Sequence, residues 1–579
     1  SVVLLKNDGL LPLDGFRTPR VAVIGPLSDA LFEDWYSGTM PYQVTVAAGL
    51  RERGGEVLHV EGLDRVVLRS RTTGEMLGGT AFDVAEWGDG VVTLRCAETG
   101  RYLGAEHDLV ALDKDVIKFW FVHQTFRLEP DPTSNGDTVL LRNVLSGRYA
   151  VLGADGRVET TAETPETAER WHRELLRDGV GEARAAVAAA DVAVVVLGNH
   201  PLINGRETED RTGITLPETQ EALLRAVAEE RPETVLVVMS SYPYAVDWAQ
   251  DHLPAVVWTS HGGQESGRAL AAVLHGDAEP SGRLPQTWYR ADDTLPEPLD
   301  YDIVKAGWTY QYHRAAPLYP FGHGLSYAEF AYDDLGLSTA EAAADGRVEV
   351  SLTVTNTGAR SGSEVVQLYA REVNPRYEAP RLRLVDFRKV TLAPGESRPL
   401  TFDLPVERLA HWDVATGTFT VDPGDHEILA ARSAEDVRLT TTLTVTGPPP
   451  APRRVVDQRT SAVDFDDYAH VALVDATRET GDAVTPTASP ATLLFRAADL
   501  TGAVRVEAEV AREGGGGEAR LEFRLADRSL AVVEVPTTGN PYHWTTVTAE
   551  LPEGVAGVHD LWLTLHGDFR LTAFRLTSA

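Results

Sequence analysis

Four short runs of mostly aliphatic residues constrain the first half of this chain more than any other feature. They are Val21-Ala-Val-Ile24, 191–197, Thr234–Met239 and Ala255–Thr259. Each is nearly continuous in apolar residues rather than alternating, so each needs cover on both faces. Helical spacing fills 44–53, 182–190, 218–230 and 264–274, with a further strand at 56–60. Strands buried on both faces and separated by helices predict a doubly wound α/β sandwich around a parallel sheet. The longest apolar runs hold only five or six residues. A membrane-spanning helix needs roughly 20, so no such helix is expected. The chain carries 53 Lys and Arg against 86 Asp and Glu, a net charge of −33. That balance repels phosphate backbones and anionic bilayers, so neither nucleic acid nor membrane is an expected partner. A solvated acidic surface accounts for it. The single cysteine, Cys96, excludes an internal disulfide framework and a multi-cysteine metal site.

At about 150 residues per domain, 579 residues predict three to five domains. The opening Ser1-Val-Val-Leu-Leu-Lys-Asn has no Met and no basic leader, and reads as a strand already inside a fold. The chain is therefore expected to be the downstream part of something longer. Between residues 66 and 176 a unit recurs: Val66-Val-Leu-Arg69, Val92-Thr-Leu-Arg95 and Val139-Leu-Leu-Arg142 each precede a glycine at one offset, Gly74, Gly100 and Gly147. Tyr102 and Tyr149 follow two of those glycines. Three copies of one strand–turn–strand unit suit a β-trefoil, whose core closes only when the copies pack together. The segment resembles fascin-like or ricin-type trefoils. Period-2 alternation over 333–446 predicts an immunoglobulin- or fibronectin-like β-sandwich. A proline-rich linker over 447–454 and a second, all-strand sandwich over 455–579, with 514–517 as a glycine tip, complete the chain.

In an open α/β sheet, ligands bind beyond the carboxyl ends of the strands. The loop leaving 191–197 is therefore the first place to search for chemistry. It contains Gly205-Arg-Glu-Thr-Glu-Asp-Arg211, three carboxylates and two arginines among seven residues. A solvated, ion-paired helix-leading loop is the bland account of it. The functional account is a carboxylic acid presented for proton transfer. Only one of Glu207 and Glu209 should face a given ligand. The glycines of His261-Gly-Gly-Gln-Glu265 either expose amides to an anion or permit tight strand–helix packing. His200, His313 and His323 lack metal-site spacing and read as solvated or hydrogen-bonded. Trp35-Tyr36 and Trp308-Thr-Tyr310 are either core edges or sugar-stacking platforms. No phosphate loop, dinucleotide fingerprint or serine elbow is present.

Several ordered motifs resemble glycoside hydrolase family 3. They are Ser1-Val-Val-Leu-Leu-Lys-Asn-Asp-Gly-Leu-Leu-Pro-Leu13, the Gly205–Arg211 segment quoted above, Leu216-Pro-Glu-Thr-Gln220, Pro280-Ser-Gly-Arg-Leu-Pro-Gln-Thr-Trp288 and Tyr319-Pro-Phe-Gly-His-Gly-Leu-Ser-Tyr327. Thr355-Asn-Thr-Gly358 before Glu364-Val-Val-Gln-Leu-Tyr369 is similar to the family's fibronectin-like domain. The tail resembles a family 6 carbohydrate-binding module, a fold that carries structural calcium. The resemblance implies this order: a family 3 α/β domain over 1–65 and 177–332, interrupted by the trefoil; a fibronectin-like domain over 333–446; and the binding module over 455–579.

The resemblance further implies a retaining, exo-acting β-glucosidase or β-xylosidase that uses no cofactor in catalysis. Its substrates would be β-linked oligosaccharides or aryl glycosides. Family members present the acid/base Glu three residues before an Asp-Arg pair, an offset that lands on Glu207. This chain replaces the usual intervening Gly with Thr208 and adds Glu209 beside Asp210, so Glu209 is the runner-up. Arg206, Arg211, Trp35, Tyr36, Trp308 and Tyr310 are the candidate substrate contacts. The family's Asp nucleophile lies on an N-terminal barrel that nothing in this sequence fits. The resemblance thus implies a barrel portion, from the same gene or a separate chain, and no turnover by this chain alone. In the tail, Tyr542 and Trp544 are candidate stacking residues, although Trp544 equally suits core packing. Thr572-Ala-Phe574 stands where the module usually reads Asn-Trp-Phe, which weakens the usual sugar cleft. A non-catalytic carbohydrate-binding protein is the alternative reading. An extracellular setting is expected, and a homodimer is compatible with the chain.

Overall fold

The computed structural model describes residues 2–15, 19–117, 121–134, 136–207, 209–290, 295–479, 481–514 and 517–579. Ser1, Thr208 and two of the tip glycines, 515–516, lie outside the described residues. The chain opens with strands β1 (Val2–Asn7) and β2 (Val21–Ile24), helix α1 (Val46–Arg51) and strand β3 (Val57–Val60). Ten strands follow: β4 (Asp64–Ser70), β5 (Phe82–Glu86), β6 (Val92–Cys96), β7 (Tyr102–Glu106) and β8 (Leu109–Lys114). The rest of the ten are β9 (Phe126–Pro130), β10 (Thr138–Asn143), β11 (Tyr149–Leu152), β12 (Val158–Ala162) and β13 (Arg170–Arg177). The α/β pattern then resumes with α2 (Gly179–Ala188), β14 (Val192–Gly198), α3 (Glu218–Glu230) and β15 (Thr234–Met239). It ends with α4 (Asp247–His252), β16 (Ala255–Thr259), α5 (Ser266–Leu274) and the short α6 (Thr309–Tyr312).

Six of these strands form one sheet in the order β1-β16-β15-β14-β2-β3. Alternation along β14 sends Val192, Val194 and Val196 into one core and Ala193, Val195 and Leu197 into the other, which is why the run is apolar throughout. The wholly parallel sheet expected from sequence is corrected at one edge, where β1 runs antiparallel to β16. The helices pack closely: a Cβ on Gly49 would lie 2.3 Å from the Gly267 carbonyl oxygen, and one on Gly267 only 1.9 Å from that of Thr45. The tight packing expected of Gly262 and Gly263 therefore falls at Gly267. Gly263, at φ +91°, instead closes a turn whose carbonyl accepts from the Ser266 amide at 3.2 Å.

The ten inserted strands pair antiparallel, and β4, β5, β6, β9, β10 and β13 close into a ring. The three sequence copies make one turn three times. The amides of Gly74, Gly100 and Gly147 donate to Ser70, Cys96 and Asn143 at 2.9, 2.9 and 3.0 Å, with each glycine at positive φ. Where the chain enters and leaves the ring, Asp83 is 5% exposed in its side chain and meets Arg65 at 2.8 Å and Arg177 at 3.0 Å.

Beyond residue 329, strands Phe330–Leu337, Arg347–Asn356 and Ser397–Pro405 form one sheet against a five-stranded partner, around a core that includes Val350, Leu368 and Phe402. The last segment builds two further six-stranded sheets around Phe495, Phe523 and Phe574. The expected linker is shorter than its sequence suggests. Arg453–Arg454 is already a strand of the final sandwich, pairing with Ala498 and Asp499, because the Arg453 side chain is buried against Asp466 at 2.7 Å.

The join between the α/β layer and the first sandwich is a buried ionic triad. Glu364, fully buried, receives Arg283 from the α/β side at 2.6 Å and Arg432 from its own sandwich at 3.2 Å. Removing one member of a buried ionic group leaves the others uncompensated. Glu364→Gln is expected to cost about 3–5 kcal/mol. Scanning calorimetry should show that loss, and replacement of all three residues by apolar side chains should recover most of it.

Candidate active site

The site begins where β14 ends. Gly198 sits at φ +149°, and a Cβ there would lie 1.8 Å from the Met239 carbonyl, so only glycine lets β14 and β15 run this close. The buried Gln220 amide then clasps Gly198 in both directions: its Oε1 accepts from the Gly198 amide at 2.9 Å, and its Nε2 donates to the Gly198 carbonyl at 3.1 Å. The end of β14 is thereby tied to the first turn of α3. Next come Asn199 and His200, both buried. Asn199 Oδ1 accepts from the Ser241 amide at 3.0 Å and lies 3.1 Å from His261 Nε2, and Phe32 packs against His200 in a tilted arrangement with ring centres 4.0 Å apart. Burial, with the neighbouring His261 adding to it, pushes His200 down to about 3, and burial pushes His261 down to about 4.

Leu202 and Ile203 anchor the following loop in the core. Gly205, at φ +70°, passes over Tyr242, whose ring would lie 2.2 Å from any Cβ there. The loop then turns sharply instead of running extended. The Glu209 amide donates to the Arg206 carbonyl at 3.1 Å, and the Arg206 guanidinium, 7% exposed, pairs with the Glu209 carboxylate. Glu207 sits on the exposed side of this turn, and its carboxylate accepts the Tyr36 hydroxyl. The two carboxylates have separate partners, Tyr36 for Glu207 and Arg206 for Glu209. Tyr36 is held outward, 80% exposed, by Asp34, whose Oδ1 accepts from the amides of Tyr36 and Ser37 at 2.8 and 2.7 Å. The hydrogen bond to Glu207 raises the Tyr36 phenol above its usual range, so Tyr36 remains a donor through neutral pH. Trp35 is half-buried and lines a neighbouring cleft of about 390 Å³ with Asp34, Tyr102, Val116 and His200.

The structure thus brings Glu207, Glu209, Arg206, Tyr36 and Trp35 together. Arg211 stays on the loop but lies over the Tyr242 ring at 3.9 Å and donates to the Pro243 carbonyl at 2.6 Å. Trp308 and Tyr310 lie elsewhere, at the join to the first sandwich. Tyr310 stacks on Phe321 at 4.3 Å, and Trp308 meets Tyr289 edge-on. His323 Nε2 donates to the Leu5 carbonyl at 2.8 Å. In the last sandwich, Trp544 donates to the Ala476 carbonyl at 2.8 Å, whereas Tyr542 faces Arg570 at 4.8 Å and Arg478 at 5.9 Å. Among the described residues no group of three His, Cys, Asp or Glu side chains gathers as a metal site would require. Asp466 and Asp467 in that sandwich are occupied by Arg453 and Lys305. Sequence reasoning missed Tyr242 and the contacts of Trp87 and Asp89 with this loop. Their only signal is proximity in space.

The acidic loop at the carboxyl end of β14 is followed along the chain by two β-sandwiches. The glycosyl hydrolase family 3 C-terminal domain matches residues 2–327, a fibronectin type III-like domain matches 364–434, and a family 6 carbohydrate-binding module matches 461–578. The chain belongs to glycoside hydrolase family 3. A β-glucosidase of Rhizobium radiobacter is 31% identical over 509 residues, 76% of this chain and 60% of that protein. A xylan 1,4-β-xylosidase of Xylanibacter ruminicola is 37% identical over 235 residues, 40% of this chain and 26% of that protein. The solved β-glucosidase of Bifidobacterium adolescentis shares the fold with a TM-score of 0.55 at 23% identity, over 78% of this chain and 53% of its own. The chain therefore spans between about a quarter and three-fifths of the length of these relatives.

The two buried imidazoles make a pH prediction. Unfolded histidine titrates near 6.5. Between pH 6.5 and about 4 the unfolded chain binds protons that His200 and His261 refuse in the fold. Stability is therefore unaffected by them above pH 6.5 and falls as pH drops below it, by up to about 1.4 kcal/mol per pH unit for each group. Denaturant titrations at pH 7 and pH 4.5 should show this loss, reduced in His200→Leu.

Proposed function

We propose that this chain is the C-terminal part of a retaining, exo-acting β-glycosidase, a β-glucosidase or β-xylosidase, with Glu207 as its general acid/base. The nucleophilic carboxylate comes from an N-terminal barrel, on the same gene or a separate chain, and this chain alone does not turn over. One observation carries the reading: at the carboxyl end of β14 the turn leaves Glu207 exposed beside a tyrosine hydroxyl, while Glu209 is engaged by Arg206. Membership of family 3 and the β-glucosidase and β-xylosidase relatives support it.

The barrel carboxylate attacks the anomeric carbon as the glycosidic C–O bond breaks, and Glu207 gives its proton to the leaving oxygen. Glu207, now a carboxylate hydrogen-bonded by Tyr36, takes a proton from water. The water oxygen then attacks the anomeric carbon and releases the nucleophile. The two carboxyl groups must stand about 5–5.5 Å apart for this double displacement. The substrates on this reading are β-linked oligosaccharides or aryl glycosides in an extracellular setting. Residues 66–176 are a β-trefoil, supported by the closed six-strand ring and its three matching turns.

Assayed together with its barrel on nitrophenyl β-glucoside and β-xyloside, the chain should be active. Glu207→Ala should lower turnover of unactivated glycosides about 10²–10⁴-fold, with azide restoring turnover of activated ones. Unchanged turnover without azide rescue would exclude Glu207. The match to a carbohydrate-binding module favours a second role in glycan binding. Calorimetric titration of this chain with xylo- and cello-oligosaccharides should give binding that Tyr542→Ala weakens, and no heat across the panel would remove that role.

A further inference from the structure

The inserted ring reaches the Glu207 loop through the turn between β5 and β6. Between β5 and β6 the chain reverses through Trp87-Gly-Asp-Gly90, closed by hydrogen bonds from the Trp87 amide to the Val91 carbonyl and from the Val91 amide to the Gly88 carbonyl, both 2.9 Å. Trp87 is buried in the same core as Leu202 and Ile203, and its indole donates to Thr93 at 3.0 Å. The turn is therefore fixed to both bodies. From it, the Trp87 carbonyl accepts from Asn204 Nδ2 at 2.9 Å. The Asp89 carboxylate accepts the Thr212 hydroxyl and, at 3.4 Å, the Thr212 amide. Asn204 lies on one side of Glu207 and Thr212 on the other. Glu86 continues the contact, its carboxylate accepting from the Thr219 amide at 3.2 Å at the start of α3.

The fit is close. A Cβ on Gly88 would lie 2.3 Å from Asn204 Nδ2, and Asp89 adopts φ +53°, a conformation that aspartate and asparagine tolerate better than most residues. Between its two braced ends the loop exposes Glu207, Glu209 and Asp210 to solvent, so little apolar burial fixes it there. Proton transfer needs a donor held to a fraction of an ångström, and a displacement of 1 Å can cost about a hundredfold.

We infer that Asp89, with the Trp87 carbonyl, is a positioning residue for Glu207: the inserted ring braces the acid loop at both ends and sets where its carboxyl stands. The inference rests on the acid/base role proposed for Glu207. Its action is through the loop, without contact to substrate.

Leaving-group chemistry separates positioning from general damage. A sugar alkoxide must be protonated as it leaves, whereas dinitrophenolate departs with little help from an acid. With this chain and its barrel together, Asp89→Ala and the milder Thr212→Val should lower kcat/KM for cellobiose about tenfold or more. The same variants should leave kcat/KM for dinitrophenyl β-glucoside within about twofold, and Asp89→Asn, which keeps an acceptor and tolerates the backbone, should restore most of the cellobiose rate. In this chain alone, hydrogen exchange over 204–212 should accelerate in Asp89→Ala and Thr212→Val while the β14 amides keep their protection. Unchanged exchange overturns the brace. Faster exchange with equal losses on both substrates overturns positioning. If Glu207→Ala itself leaves cellobiose turnover intact, the acid assignment fails first, and this inference falls with it by a separately visible result.

Discussion

One buried carboxylate, Asp83, ties together the strands by which the chain enters and leaves the inserted ring. It lies on β5 and is met by Arg65 from β4, the strand that enters the ring, and by Arg177 from the end of β13, the strand that leaves it. Arg95 also approaches it at 3.5 Å, while pairing with Glu61 just beyond β3. A carboxylate this buried is tolerated only because several charge-assisted bonds replace its water. The geometry of those bonds fixes the orientation of β5, and β5 runs directly into the turn at Trp87 and Asp89. That turn contacts the loop carrying Glu207 through Asn204 and Thr212, so the ionic cluster bears on the loop without touching Glu207.

The same device recurs at the other join. Glu364, fully buried, binds Arg283 and Arg432, and Gln367 on the same strand donates to the Gly322 carbonyl at 3.0 Å. Buried ionic groups add little net stability over apolar replacements, but they accept only one registration of their partners. In a chain of −33 net charge, these few buried carboxylates are each met by two or more arginines.

Much of the fold was legible in the sequence, for identifiable reasons. The strands at 234–239 and 255–259 and the helix at 218–230 have the bounds that apolar runs and helical spacing predict, since nothing in tertiary structure competes with those patterns. The repeat around Gly74, Gly100 and Gly147 was visible because a left-handed turn position strongly favours glycine. The direction of β1 was not, because an edge strand can join a sheet in either sense without changing its residues. Helix α4, six residues of mixed polarity, has no period to detect. At the site, spacing and family likeness singled out Glu207, but the engagement of Glu209 depends on a buried Arg206 that spacing does not reveal. Asp89 and Thr212 are 123 positions apart, and no local pattern connects them.

The pairing of β4 with β13 has a consequence for how such a chain assembles. Arg65 stands opposite Arg177, so the two ends of an insertion more than a hundred residues long emerge side by side. Joining β3 to α2 through an unstructured segment of that length would carry the full entropy of closing a long loop. With the ring folded, that closure is already complete, and to the sheet the whole insertion behaves as a connection of a few residues. Folding of the ring first lets the interrupted layer assemble as though its sequence were continuous.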